Sequence, residues 1–229
     1  MKNKNMRESS EADPTWNAEI GMQVIRLDGV DPAFRNALRL VIAISATLFV
    51  LQTATGHYFG SHVLQADALD YLDDTVTYAL SLVVVGASIR TRAGAMLLRA
   101  AIVFAMSLCV VGSTAYHAIW HTPVLTLPRP EIVGAIGLFG LMANMACRTI
   151  LAPHIDSDAN IRADGLNIRH DIAGNIAVIV SAAAVWVIQS PWPDLVLALF
   201  ASGQWLHLSI LMLRESAARY RASKQASND

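Results

Sequence analysis

The stretch LQADALDYLDDTVTYALSL, residues 64–82, places four aspartates in a segment whose second half has the composition of a membrane helix. They are Asp67, Asp70, Asp73 and Asp74. An ionised side chain at the centre of a bilayer costs about 3 kcal/mol or more, so such groups face the protein interior, a cavity or a partner charge, and they commonly carry function. The interpretation of the whole chain therefore depends on what surrounds these acids.

The composition is typical of a polytopic membrane protein. Of 229 residues, 54% are hydrophobic and only 15% are charged, whereas roughly a quarter of residues are charged in a soluble domain. Cys109 and Cys147 lie in apolar segments without CxxC spacing, which indicates neither a disulfide framework nor a thiolate metal site. A net charge of −1 without a basic run argues against nucleic-acid binding.

Six apolar runs are long enough to cross a bilayer, which needs about 20 helical residues. They cover residues 36–53, 62–87, 94–120, 131–151, 167–189 and 194–213. Lys and Arg concentrate before the first run, after the second and fourth, and after the sixth. Because positive residues favour the cytoplasmic side, the sequence predicts an all-α polytopic membrane protein with six transmembrane helices and both termini in the cytoplasm.

Three segments follow from this layout. Residues 1–35 are expected to form a cytoplasmic N-terminal segment without a cleavable signal peptide. Apolar residues among the charges of this segment are typical of an amphipathic helix lying in the membrane interface. Residues 36–213 are expected to form the transmembrane domain and residues 214–229 a short cytoplasmic tail. The expected location is the inner (cytoplasmic) membrane.

Helical spacing places three of the four acids on one side of the second span. Asp67, Asp70 and Asp74 are three or four residues apart and share a face, while Asp73 points away from it. If the helix begins at His62, Asp70 and Asp74 lie about 12 to 18 Å below the outer surface. If it begins near Tyr71 instead, the acids lie in an outer loop.

The fifth span offers a matching polar face. Asn167, Asp171 and Asn175 recur every fourth residue, so oxygen ligands from two helices can enclose one divalent cation. Without a metal, neighbouring carboxylates in a poorly solvated site cannot all stay ionised, and at least one is expected to hold a proton. Metal binding would expel that proton, which outlines a proton-coupled exchange.

Two motifs resemble those of the cation diffusion facilitator family. ADALDYLDD, residues 66–74, is similar to the family's second-helix motif, and RHDIAGNIAV, residues 169–178, to its fifth-helix counterpart. AIGLFGLMANMACRTIL, residues 135–151, and WPDLVLALF, residues 192–200, resemble the fourth helix and the start of the sixth. The resemblance implies a secondary transporter that exports divalent metal from the cytoplasm by proton antiport, without an enzymatic activity or a resident cofactor.

Carried onto this chain, the family's metal ligands fall on Asp70, Asp74, Asn167 and Asp171. Many members have His or Asp where Asn167 stands, so zinc, cobalt, cadmium, iron and manganese all remain open as cargo. The roles of Arg169, His170 and Asn175 stay open. Members usually continue into a cytoplasmic metal-binding domain that helps dimerisation. This chain resembles a short form lacking that domain, and the homodimer that the resemblance implies would rest on membrane helices.

Two other classes of function are alternatives. A proton channel or a metal sensor could use the same acids without transporting metal. An intramembrane aspartyl enzyme could use two acids on different helices, although no motif of such an enzyme is present. Four histidines, His57, His62, His117 and His121, lie near the outer ends of the predicted helices, where they form either ordinary interfacial residues or an outer metal site.

Overall fold

The computed structural model describes residues 32–84, 89–120, 127–154 and 157–225, and in the last range it describes side chains from Ile172 onward. It contains six α-helices in these ranges. They are α1 (Pro32–Phe59), α2 (His62–Val83), α3 (Ile89–Trp120), α4 (Pro130–Leu151), α5 (Ser157–Ile188) and α6 (Trp192–Gln225). A 3₁₀ turn, Ala152–His154, follows α4, and the described residues contain no strand. The prediction of an all-α polytopic fold with six helices is confirmed.

Four of these helices are individually long and apolar enough to cross a membrane: α1, α3, α4 and α6. Within the part of α5 whose side chains are described, Ile172–Ile188 is apolar. Helix α2 differs from these four membrane-span candidates because it contains four aspartates. It can lie in the membrane only because its neighbours surround it.

Two helices extend furthest beyond the predicted spans. α5 begins at Ser157 rather than near Asn167, and α6 continues to Gln225 rather than ending near Leu213. The apolar runs mark only the parts of these helices that need to be apolar. The α6 extension, residues 214–225, is rich in Ala and Arg, which have high helix propensity. The amphipathic helix predicted within residues 1–35 lies almost wholly outside the described residues.

The acidic helix α2 is the most enclosed element. All residues from His62 to Asp73 except Gln65 are buried. It packs against α1, α3, α5 and α6, and α3 packs most extensively on α6. The helix begins at His62, so the alternative start near Tyr71 is wrong, and the four acids lie inside the bundle.

The apolar core surrounds α2. Leu64 and Leu69 of α2 pack with side chains of α3, α4, α5 and α6, and the remaining members of this cluster are Val63, Ala66, Val103, Val110, Val133, Val178, Ala182, Ala198 and Trp205. A second cluster joins α1 to α4 through Phe34, Leu38, Val41, Cys147 and Leu151. Large apolar side chains on the outer surface, such as Val50 and Phe200, are exposed, as expected for helices that face lipid.

A tight connection fixes the start of α2. Gly60 has a φ of 70°, a left-handed conformation that glycine adopts without steric cost. The Ser61 hydroxyl accepts a hydrogen bond from the Leu64 amide and donates one to Asp194 of α6, 2.7 Å away. The same carboxylate accepts from the His62 amide at 2.6 Å. Asp194 therefore caps α2 from another helix.

Candidate metal-transport site

Asp67 lies between α1 and α5. Its Oδ2 atom accepts a hydrogen bond from Gln52 Nε2 at 2.9 Å, and the residue is only 4% exposed. On the other side, a Cβ atom added to Gly174 would lie 2.6 Å from Asp67 Oδ1. Because Gly174 has no side chain, the α5 backbone can approach this carboxylate closely. Helix α5 therefore faces the acidic side of α2, as the sequence predicts.

Asp70 lies one turn further along α2. Asn144 of α4 donates a hydrogen bond from Nδ2 to Asp70 Oδ2 at 3.4 Å, and both residues are buried. This is a long hydrogen bond to a carboxylate, so it is an interaction that a cation could readily replace. Asn144, noted in the sequence only as part of the fourth-helix resemblance, lies beside an expected metal ligand.

A cavity of about 80 Å³ opens beside these two acids. Asp67 and Asp70 supply carboxylates to its wall, the described side chains of α5 contribute the small residues Ala173, Gly174 and Ala177, and α6 contributes Phe200, Ala201, Gln204 and Trp205. A buried water needs about 10 to 15 Å³ of such space. The cavity can therefore hold several waters or a partly hydrated cation against the carboxylates.

Asp73 points away from this cavity and toward α3. Arg99 donates from Nε to Asp73 Oδ1 at 2.8 Å and from Nη2 to Oδ2 at 2.6 Å. Both side chains are buried, at 9% and 8% exposure. The predicted direction of Asp73 is confirmed. Arg99 belongs to the group of basic residues between the second and third predicted runs, which positive-inside counting treats as charges flanking a loop. The structure corrects this for Arg99, because its guanidinium lies inside the bundle and neutralises Asp73.

Asp74 is half-buried and does not line the cavity. It lies near enough to Arg99 to interact with its charge. The two acids expected to bind metal from α2 thus differ in their surroundings: Asp70 faces the cavity, and Asp74 interacts electrostatically with Arg99 of α3 and with Cys147 of α4.

Four helices meet next to the acids at Gly140 of α4. A Cβ atom at this position would lie 2.6 Å from Asn175 Oδ1, 2.6 Å from the Tyr71 hydroxyl and 3.0 Å from Gln52 Nε2. Tyr71 donates a hydrogen bond to Asn175 Oδ1 at 3.3 Å. Gly140 thereby makes room for a polar layer that joins α1, α2 and α5 beside the cavity.

The two ligands expected from α5 cannot be compared with this geometry. The side chains of Asn167 and Asp171 lie outside the described part of the structure, as do those of Arg169 and His170. Among the described side chains, no group of three or more His, Cys, Asp and Glu is arranged to hold a metal ion. The four-ligand set stays a prediction.

Three residues of this region escaped the sequence interpretation. Gln52 is a polar residue in the apolar first span, Tyr71 lies within the acidic stretch, and Gly140 lies in the fourth span. An isolated amide in an apolar span is a usable signal, because a buried amide needs a partner. Nothing in the sequence indicates that Gly140 in particular lies at the helix crossing.

The fold and these carboxylates define a polytopic helical membrane protein with an acidic cavity inside the bundle. The family model of the cation efflux transmembrane domain matches residues 38–219. The chain belongs to this family, the cation diffusion facilitators. The family is one of cation efflux transporters rather than enzymes. No curated protein gives a significant match to the chain.

Proposed function

We propose that this protein exports a divalent transition metal from the cytoplasm across the inner membrane in exchange for protons, as a homodimer. The observation that carries the proposal is the cavity in which Asp67 and Asp70 face the small residues of α5. A hydrated cation fits this space, and carboxylates in a bundle interior attract it because the surroundings are poorly solvated.

The helical register of α5 supports Asp171 and Asn167 as further ligands. Asp171 precedes Gly174 by three residues and Asn167 precedes it by seven within the continuous helix α5. Residues three, four and seven apart share one face of a helix. Gly174 faces Asp67, so this register favours the same α2-facing side for Asp171 and Asn167.

Proton coupling follows from the charges of the cavity. Asp73 is already neutralised by Arg99, so the acids left to exchange protons for metal are Asp67 and Asp70 in the cavity wall, together with the expected ligands Asp74 and Asp171. Adjacent carboxylates in a poorly solvated site retain protons. A divalent cation replaces these protons, and protons from the opposite side release the cation.

Metal uptake into inside-out vesicles with an imposed pH gradient tests the proposal. A panel of zinc, cobalt, cadmium, iron and manganese identifies the cargo. We expect uptake of at least one metal that depends on the gradient, and a loss of at least tenfold in Asp70→Ala, Asp74→Ala and Asp171→Ala proteins. Glu131→Ala is the matched control, because this acid is exposed at the start of α4.

Two results would contradict the proposal. Proton flux without metal uptake would favour a proton channel, and metal binding without uptake would favour a sensor. Uptake retained in any two of the three aspartate variants would show that the ligands lie elsewhere.

A further inference from the structure

Two histidines lie against each other at the end of the bundle where α2 begins and α3 ends. The ring centroids of His62 and His117 are 4.9 Å apart, with 53° between the ring planes. His62 is 5% exposed and His117 is half-buried. Neither side chain lines the acidic cavity, so the pair is separate from the site described above.

The hydrogen bond of His117 fixes which of its nitrogens carries the proton in the neutral ring. Its Nδ1 atom lies 2.8 Å from the backbone oxygen of Ser113. A carbonyl oxygen can only accept a hydrogen bond, so Nδ1 is the donor. The lone pair of the neutral ring is therefore on Nε2.

The tautomer of His62 follows from the hydroxyl of Thr114. That hydroxyl donates its single hydrogen to the backbone oxygen of Val110 at 2.8 Å. At its 3.3 Å contact with His62 Nδ1, it must therefore accept, and Nδ1 is again the donor. His62 also has its lone pair on Nε2.

This is the arrangement in which imidazoles bind metals. A metal-binding histidine generally donates its other ring N–H to a carbonyl, a carboxylate or another oxygen, which fixes the tautomer and the ring orientation. Both histidines do so here, through Ser113 and Thr114. The Asp194 carboxylate holds the His62 backbone amide at 2.6 Å, which fixes the position of this histidine at the start of α2.

We propose that His62 and His117 form a second metal site that binds one divalent transition-metal ion through their Nε2 atoms, with water completing the coordination. Imidazole favours zinc, cobalt, nickel and copper, whereas magnesium and calcium prefer oxygen ligands. Only the role of this second site rests on the proposed function. The site lies at the end of the bundle from which exported metal would leave, so it would receive the ion after the acidic cavity.

A binding measurement tests this site independently of transport. The full-length Asp70→Asn/Asp74→Asn protein is purified in detergent and titrated with Zn²⁺ against a chromophoric indicator. We expect this protein to bind one Zn²⁺ per chain. Adding His117→Gln should lower the affinity for Zn²⁺ at least tenfold, and adding His117→Cys instead should restore it, because a thiolate also binds zinc. His57→Gln is the matched control, since His57 is an exposed histidine at the end of α1, and its affinity should not change.

Equal zinc affinity with and without His117→Gln, or no zinc bound by the Asp70→Asn/Asp74→Asn protein, would overturn the proposal. Replacing His117 rather than His62 leaves the start of α2 intact. A Co²⁺ titration provides a second readout, because imidazole ligation changes the visible absorption of cobalt. If vesicle uptake fails while the His117-dependent ion persists, the transport proposal fails and the second site stands.

Discussion

Several buried polar side chains next to the acidic cavity have particular partners. Gln52 donates to Asp67, Tyr71 donates to Asn175, and Gly140 leaves the space in which these groups meet. Buried polar groups without hydrogen bonds are costly, so these contacts keep the region both polar and stable. The same contacts make it sensitive to small changes in volume.

Replacing Gly140 by alanine is expected to damage this region. The new Cβ would lie within 2.6 Å of Asn175 Oδ1 and of the Tyr71 hydroxyl, and overpacking a well-packed interior typically costs about 1 to 3 kcal/mol. We expect a lower thermal unfolding temperature in detergent and reduced metal uptake. Gly112→Ala in α3 is the control, because nothing lies within 4 Å of its added Cβ.

A Gly140→Ala protein as stable and as active as the Gly112→Ala protein would show that the four helices do not approach so closely. If Gly140→Ala lowers metal uptake but leaves the unfolding temperature unchanged, the polar layer positions the acids without stabilising the fold.

At Asn167 the chain departs from the family pattern, and this position should influence which metal is transported. Imidazole is a softer ligand than an amide oxygen, so Asn167→His is expected to raise zinc uptake relative to manganese uptake. It should also make transport more sensitive to pH between about pH 6 and 7, where histidine titrates. Competitive uptake of the two metals by the parent and variant proteins measures both effects.

An unchanged ratio and an unchanged pH profile would show that Asn167 does not bind the cargo. Asn175 would not be a simple replacement, because its Oδ1 atom already accepts a hydrogen bond from Tyr71.

At the scale of the helices, the contact between α2 and α3 is polar at both ends. Asp73 and Arg99 form an ion pair toward one end, and the His62 and His117 rings lie together at the other. Breaking a buried ion pair leaves an uncompensated charge and typically costs about 3 to 5 kcal/mol. Because Asp73 lies off the acidic face, helical spacing alone predicts that Asp73→Asn keeps substantial transport activity. The ion pair with Arg99 instead predicts that this variant loses stability.

A double-mutant cycle on this ion pair gives a sharp test. Asp73→Asn and Arg99→Gln should each lower the unfolding temperature clearly, and the double variant should lose less than the sum, because it leaves no unpaired charge. Arg90→Gln, at an exposed arginine near the start of α3, is the control for loss of positive charge. Additive effects would mean that the two residues do not interact in the membrane.

Sequence patterns predicted the helices well, but they predicted the surroundings of individual side chains less well. Helical spacing placed Asp67 and Asp70 on one face and Asp73 off it, because this depends only on the geometry of α2. The patterns did not reveal that Arg99 pairs with Asp73 or that Asp194 caps α2, because residues far apart in the chain meet only when the helices pack. Helix ends were missed where α5 and α6 extend beyond their apolar parts.

For the whole molecule, the open question is how many copies act together. The resemblance implies a homodimer, and the outer faces of the helices carry exposed large apolar side chains that either lipid or a second copy can cover. We expect two bleaching steps per particle when a carrier with a fluorescent C-terminal fusion is reconstituted at low density. Single-step bleaching together with full metal uptake would show that one copy is sufficient.

The enclosure of α2 also constrains how the chain is made. On insertion scales an aspartate at the middle of a helix costs about 2.5 to 3.5 kcal/mol, whereas a leucine returns only a few tenths. A nascent α2 with four aspartates is therefore a poor substrate for the translocon by itself. Its counter-charge, Arg99, and its cap, Asp194, are synthesised later. We therefore expect stable integration of α2 to follow the synthesis of α3 and of α6, so that α2 takes its final position later than its place in the sequence suggests.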